Sequence, residues 1–385
     1  MHFEYSDEEQ MVQELARRLA REKIGPRAAE IDAREEFPHD LVHLLAEHGL
    51  FGLIVSEALG GSDAGILAFL LAVEEIARAC AATATIFAGQ YLGMYPILLA
   101  GTEEQQRRFI PALARGERLA AFALTEPEAG SDVAAIQMTA RRDGDEYVLT
   151  GTKQFITSGD VAGILTVFAT TDRSQGHRGL STFVVEQGTP GLHVARIEKK
   201  MGIRGSTTAA LEFQDCRVPA VNRLGAEGQG FKIAMQVLDR ARPSVAAIAV
   251  GIAQAALDHS LDYAQTRKQF GQPIANFQAI QFMLADMAME IHLARLSYLY
   301  AGHLIRSGAE RYTLPAAVAK CYASEVAMRA TTNAVQIFGG YGYSREFPVE
   351  RLMRDAKITQ IYEGTNQVQR IVMARQLLNG VQSEL

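Results

Sequence analysis

AVQIFGGYGYSREFPVERLMRDAKITQIYEGTNQVQR, residues 334–370, is the stretch around which the rest of the chain is organised. Glu363 is a lone carboxylate in Ile361-Tyr362-Glu363-Gly364-Thr365, flanked by apolar, aromatic and small residues, the surroundings a buried proton acceptor needs. Upstream, Gln336-Ile337-Phe338-Gly339-Gly340 leaves two positions without side chains, where backbone amides can approach a planar or phosphorylated ligand. Each feature also has a plain reading: a solvated loop charge for Glu363, a helix C-cap for the glycine pair. Helical spacing surrounds both, so this end of the chain reads as helices.

Working back, Ile280, Met283, Leu284, Met287, Ile291 and Ala294 keep the i, i+3, i+4, i+7 pattern. Further helical runs are expected over 231–266, 314–338 and 349–378, with breaks at Gly271-Gln272-Pro273 and Ser307-Gly308. Residues 226–385 thus read as a four-helix bundle. Before them the grammar differs. Short β-rich runs at 121–124, 137–142, 147–150, 165–170, 182–185, 192–197 and 209–213 are bounded by Gly, Asp and Pro, and Asp143-Gly144 is a hairpin signal. Residues 120–225 read as a small antiparallel β domain. Residues 1–119 are helical: Ser6-Asp7-Glu8-Glu9 and Thr102-Glu103-Glu104-Gln105 are capping boxes, and two helices near 67–82 and 85–100 are apolar on most sides and so buried. The expected class is α+β, mostly α, in three units.

The chain has 385 residues, 48% hydrophobic and 21% charged, the composition of an ordinary folded protein. A net charge of −6 without a block of like charges argues against nucleic acid as a partner. No long uninterrupted apolar run suggests membrane insertion, and an acidic start without a signal-peptide pattern leaves the cytoplasm as the expected location. Three widely spaced cysteines have no metal-ligand spacing, so no metal is expected.

Three further stretches have chemical content. Phe122-Ala123-Leu124-Thr125-Glu126-Pro127-Glu128-Ala129-Gly130-Ser131-Asp132 runs from a strand into a loop offering amides and the hydroxyls of Thr125 and Ser131, a cradle for polar ring edges or simply a capped turn. Lys153 to Ser158 sets Phe155 and Thr157 on one strand face, as a stacking surface beside a donor or as an ordinary mixed strand. Arg267-Lys268-Gln269-Phe270 suits either a helix C-terminus or a pyrophosphate, and Asp239 and Arg242 suit either an i,i+3 pair or a ligand contact.

Taken together and in order, FALTEPEAGSD (122–132), KQFITSG (153–159), KMGIRGS (200–206), DRARPSVAA (239–247), YAQTRKQFGQPI (263–274), QIFGGYGYSREFPVERLMRDAKI (336–358) and IYEGTNQVQR (361–370) resemble the acyl-CoA dehydrogenase family, its short- and medium-chain members most closely. The resemblance covers nearly the whole chain. It implies FAD as cofactor and an acyl-CoA thioester as substrate, converted to the trans-2-enoyl-CoA, with Glu363 as the base for the α-proton. By the same resemblance Phe122, Leu124, Thr125, Gly130, Ser131, Phe155, Ile156 and Thr157 contact the flavin. Arg267, Phe270, Gln278, Gln336, Ile337, Gly339 and Gly340 match segments that hold a neighbouring subunit's FAD, and Thr365 and Gln367 match its last contacts. Ser131, Asp239, Arg242, Tyr362 and Gly364 match substrate contacts. Electron transfer flavoprotein is the implied acceptor and a homotetramer, two dimers sharing FAD sites, the implied assembly. Many members carry Trp where this chain has Phe155, and this chain has no Trp. Tyr91 and Tyr95 lie on the helix resembling the floor of the acyl pocket, where they would shorten it and favour short, branched or modest medium chains. The residues leave open an acyl-CoA oxidase, with oxygen as acceptor, and a non-catalytic CoA-binding homologue.

Overall fold

The computed structural model describes residues 4–380; the outermost residues of the first and last expected units, 1–3 and 381–385, lie outside it. The first helices are α1 (Asp7–Leu19), α2 (Ala28–Arg34) and α3 (His39–Glu47), followed by α4 (Gly65–Ala79), α5 (Ala81–Ala100) and α6 (Glu103–Ala114). Both capping boxes form. The Ser6 hydroxyl accepts from the Glu9 amide (3.1 Å) and the Glu9 carboxylate from the Ser6 amide (2.8 Å). Thr102 and Gln105 do the same for α6. Helix α1 does not stop cleanly at Gly25-Pro26: a wider π-type turn (Ala20–Ile24) and a 3-10 turn (Gly25–Arg27) lead into α2.

The middle of the chain is one sheet of β1 (Ala120–Ala123), β2 (Thr139–Asp143), β3 (Glu146–Thr157), β4 (Ile164–Thr170), β5 (Leu180–Glu186), β6 (Leu192–Ile197), β7 (Thr208–Pro219) and β8 (Arg223–Leu224). Its order is β6-β7-β3-β2-β4-β5-β8, with β1 on β4. It is not wholly antiparallel as expected, because β1 and β2 both meet β4 in parallel. Strand β3 is longer than its apolar core suggests and carries the Lys153–Thr157 segment as its second half.

Helices α7 (Gly230–Thr266), α8 (Gln278–Arg306), α9 (Thr313–Phe338), α10 (Val349–Thr359) and α11 (Asn366–Leu378) complete the chain. By length and composition α7 could cross a membrane, but most of its apolar stretch is buried inside the protein. It packs on α4, α5, α8, α9 and α10 and is the axis of the molecule. Close approach is possible where side chains vanish: a Cβ on Gly251 would stand 2.5 Å from Glu74 O of α4. The expected continuous helix over 349–378 is instead two, α10 and α11, broken where Glu363 lies. Helix α10 is anchored to the other units. Arg354 bonds Asp32 (2.6 Å) of α2, and Asp355, buried, accepts from the Ile203 amide (2.5 Å) of the loop between β6 and β7.

Candidate active site

Where the sheet meets the helices a cavity of about 410 Å³ opens. One wall is α5, which presents Thr85, Ala88, Gly89 and Leu92. Opposite lie Phe122, Leu124, Thr125, Gly130 and Ser131, from β1 and its following loop, and Phe155, Ile156 and Thr157 of β3. Helix α7 adds Phe231, Met235, Leu238 and Arg242, and the turn before α11 adds Tyr362, Glu363 and Gly364. Val368, Ile371 and Arg375 of α11 border it as well.

The β side is held by a buried ion pair that sequence reasoning missed. Lys153, with no solvent exposure, donates to the Glu126 carboxylate (2.8 Å) and to Leu124 O (2.9 Å). Glu126 accepts in addition from the amides of Gln137 (2.6 Å) and Met138 (3.1 Å), and the Gln154 amide donates to Thr125 O (2.8 Å). The loop from Leu124 to Met138 is thereby pinned to β3. Between Lys153 and Ile156 the pairing with β7 slips by a bulge, and Phe155 takes φ 59°. A bulge re-aims the residue it carries. Phe155 is 63% exposed and lines the cavity, as does Thr157, and so does Ile156, whose place simple alternation would put on the other face.

Glu363 stands in the break between α10 and α11. Its φ is 52° and that of Gly364 is 94°, so a left-handed pair reverses the chain. For a non-glycine residue this conformation costs on the order of 1–3 kcal/mol and persists only when neighbours enforce it. Here they do. Lys320 Nζ donates to Gly364 O (2.7 Å), and Gln369 Nε2 donates to the carbonyls of Glu363 (3.3 Å) and Gly364 (3.0 Å). Thr365 caps α11, its hydroxyl accepting from the Val368 amide (3.2 Å). Oε2 of Glu363 is buried with no hydrogen-bond partner. Burial pushes the carboxyl up to about 7, against the opposing pull of Lys320 and Arg242. Arg242, 4% exposed, is ion-paired with Asp239, whose other oxygen accepts from Thr313 Oγ1 (2.7 Å), and the Arg242 Nε is buried and unpartnered.

Three expected substrate residues are elsewhere. Tyr91 is turned away from the cavity: its hydroxyl donates to Leu50 O and accepts from the Leu53 amide (3.1 Å), and its ring packs 4.2 Å from that of Phe69. The register is one residue off, and Leu92 takes the wall. Tyr95 is also off the wall, 2% exposed, with its hydroxyl unpartnered and its pKa raised by burial. Asp239 likewise does not line the cavity; it holds Arg242.

The other expected cofactor residues sit in a second place. Arg267, Ile337, Gly339 and Gly340 line a shallow groove with Tyr263 and Phe338, whose rings stack at 4.0 Å. Gly339, with φ 61°, ends α9 there. Gln336 sits on the last turn of α9 and Gln278 opens α8, while Phe270 is 93% exposed with φ 51°. Gln367 is exposed on α11. None of these four lines the groove or the cavity. Among the described residues no group of three or more His, Cys, Asp and Glu side chains is placed to hold a metal ion.

Comparison with known proteins agrees along the chain. Family profiles match as acyl-CoA dehydrogenase N-terminal domain over 6–117, middle domain over 121–216 and C-terminal domain over 228–378. The acryloyl-CoA reductase (NADH) of Anaerotignum propionicum is 46% identical over 380 residues, 98% of this chain and 96% of that one. The butyryl-CoA dehydrogenase structure from Megasphaera elsdenii superposes with a TM-score of 0.96 at 47% identity, covering 98% of this chain and 100% of that one. A chain in the structure described for the electron transferring flavoprotein of Acidaminococcus fermentans gives 0.97 at 47% identity, with the same coverage. The chain belongs to the acyl-CoA dehydrogenase family and is an FAD-dependent oxidoreductase.

Proposed function

We propose that this enzyme removes two hydrogens from a short- to medium-chain acyl-CoA, branched chains included, to give the trans-2-enoyl-CoA, with Glu363 as the base at the α-carbon. The observation that carries this reading is the Glu363 carboxylate itself: at the cavity wall, its buried Oε2 without a donor, and pushed up to about 7. A base poised near neutrality accepts a proton most effectively near working pH, and such positioned bases contribute about 10²–10⁴-fold.

The residues present fit FAD. Phe155 offers an apolar face, Thr125, Ser131 and Thr157 offer hydroxyls, and Gly130 has no neighbour within 4 Å of a Cβ position, leaving the loop open to close approach. These residues would hold the isoalloxazine, and the groove at Arg267, Gly339 and Gly340 would hold the adenosine half of a second subunit's FAD. FAD, when bound, supplies the acceptor for the hydride equivalent leaving the β-carbon. The chain's own part is to orient and to move one proton. The Glu363 backbone N–H has no acceptor among the described residues and is free to donate to a thioester carbonyl, acidifying the α-hydrogen. The exposed Arg375 suits the polar, anionic CoA portion, and Arg242, paired with Asp239, lines the wall near Glu363. Leu92, Met235 and Leu238 enclose the acyl chain, and the small side of α5 at Ala88 and Gly89 leaves it room.

Electrons then pass to electron transfer flavoprotein, and the subunits, with units 1–119, 120–225 and 226–385, assemble as a homotetramer of two FAD-sharing dimers. The relative named acryloyl-CoA reductase supports a second reading, in which the same residues return a proton to the α-carbon of an enoyl-CoA. Anaerobic titration with saturated acyl-CoAs of graded length tests the first. Short and medium thioesters are expected to bleach the oxidised flavin, and Glu363→Gln to abolish bleaching with FAD retained. A wild-type protein bleached by no saturated thioester but turning over enoyl-CoA would favour the second.

A further inference from the structure

Among the described residues two lysines have no solvent exposure, and they are treated differently. Lys153 has a carboxylate partner in Glu126. Lys320, on α9, has none: Nζ donates to Gly364 O (2.7 Å) and Asn366 Oδ1 (3.0 Å), both neutral. A buried ammonium is ordinarily paired. The Asn366 amide is itself held, donating to Ser324 Oγ (2.9 Å) and Cys321 O (3.3 Å), so the cation sits in a rigid socket directly under the Glu363-Gly364 turn. The other cation near the base, Arg242, is neutralised by Asp239. Lys320 is therefore the one uncompensated buried cation facing this carboxylate among the described residues.

We propose that Lys320 is a positioning residue for the base: by bonding the Gly364 carbonyl it locks Glu363 in its left-handed conformation, and its unpaired charge keeps the buried carboxylate ionisable. The inference rests on Glu363 being the base. The charged and titratable groups facing Glu363 are Tyr95 of α5, Arg242 of α7, Lys320 of α9 and the adjoining Tyr362, with Asp355 of α10 acting on Tyr362 and Cys321 of α9 on Lys320. Only Lys320 and Arg242 favour the carboxylate form. Burial also lowers the Lys320 ammonium to about 8, so its charge, present at neutral pH, is lost in mildly alkaline solution.

The test is the pH profile of kcat/KM in the FAD-loaded enzyme, with infrared titration of the Glu363 carboxyl band, identified by its absence in Glu363→Gln. Lys320→Met is expected to move the acid limb and the infrared midpoint upward by about one unit, a roughly tenfold loss of kcat/KM on the acid side that recovers as pH rises. Lys320→Arg is expected to hold the midpoint near that of wild type. Should Lys320→Met fail to fold, Asn366→Asp, which sets a carboxylate beside the ammonium, is expected to shift the midpoint the same way. A midpoint unmoved in whichever of these folds overturns the inference while leaving the base assignment standing. An active Glu363→Gln enzyme would instead overturn that assignment, and this inference with it.

Discussion

Ionising Glu363 leaves a negative charge whose buried oxygen no donor meets, so the proposed work as a base and stability pull against each other at this residue. The folded carboxyl titrates near 7 against an ordinary 4.5, a raised value. Its contribution to stability is therefore full below 4.5 and is lost as pH climbs through 7. With partial solvent contact allowed for, the loss is on the order of 2 kcal/mol. Glu363→Gln is thus expected to resist urea better than wild type by roughly that amount near pH 8, with the gap closing towards about pH 5. Paired unfolding curves at the two pH values check it. The turn around this residue is legible only in part: Tyr362 and Gly364 line the cavity beside Glu363, but Ile361, expected to help shield it, is 47% exposed. Lys320 is not legible, because in Ala-Val-Ala-Lys-Cys-Tyr-Ala-Ser it looks like an ordinary helix cation, and its acceptor lies 44 residues away.

At the scale of elements, a few buried polar ties hold loops and strands in place, and Lys153, which pins the loop from Leu124 to Met138 to β3, is the clearest. Lys153→Met leaves Glu126 an uncompensated buried anion, and breaking such a pair from one side costs about 3–5 kcal/mol. The variant is expected to melt well below wild type and to lose flavin on gel filtration, while Lys153→Met with Glu126→Gln recovers part of the loss. Thermal unfolding with absorbance of the eluted protein measures both. Helix starts were readable because a capping box is a local motif, as at Ser6 and Thr102. The break between α10 and α11 was not, because helical spacing runs through it and the forces that open it come from α9. Phe155 follows the same logic: alternation suggests an even strand, and the bulge depends on pairing with β7. Helix α5 is apolar on every side, so its pattern has no face to point Tyr91 or Leu92, and only packing decides.

Across the whole molecule, apolar side chains remain uncovered along α8. Phe282, Met289 and Leu293 are about half exposed or more and share one face at helical spacing. Exposed apolar stripes of this kind mark protein–protein contact. If they join subunits of the proposed tetramer, Phe282→Glu with Met289→Glu is expected to yield a smaller folded species in analytical ultracentrifugation, and an unchanged sedimentation coefficient would place the contact elsewhere. The cavity has a consequence of its own. Its walls come from α5, from β1 and β3, and from α7 and α11, so no one stretch of chain holds a complete binding surface. A molecule bound there recognises only the assembled arrangement, and its binding free energy becomes cohesion between parts that are far apart in sequence. At a thousandfold excess over its Kd such a ligand adds about 4 kcal/mol to the folded state. With FAD held there, as proposed, the cofactor acts as a rivet: warming the loaded enzyme is expected to release colour and helical structure in one event, and the stripped protein to come apart earlier and in pieces.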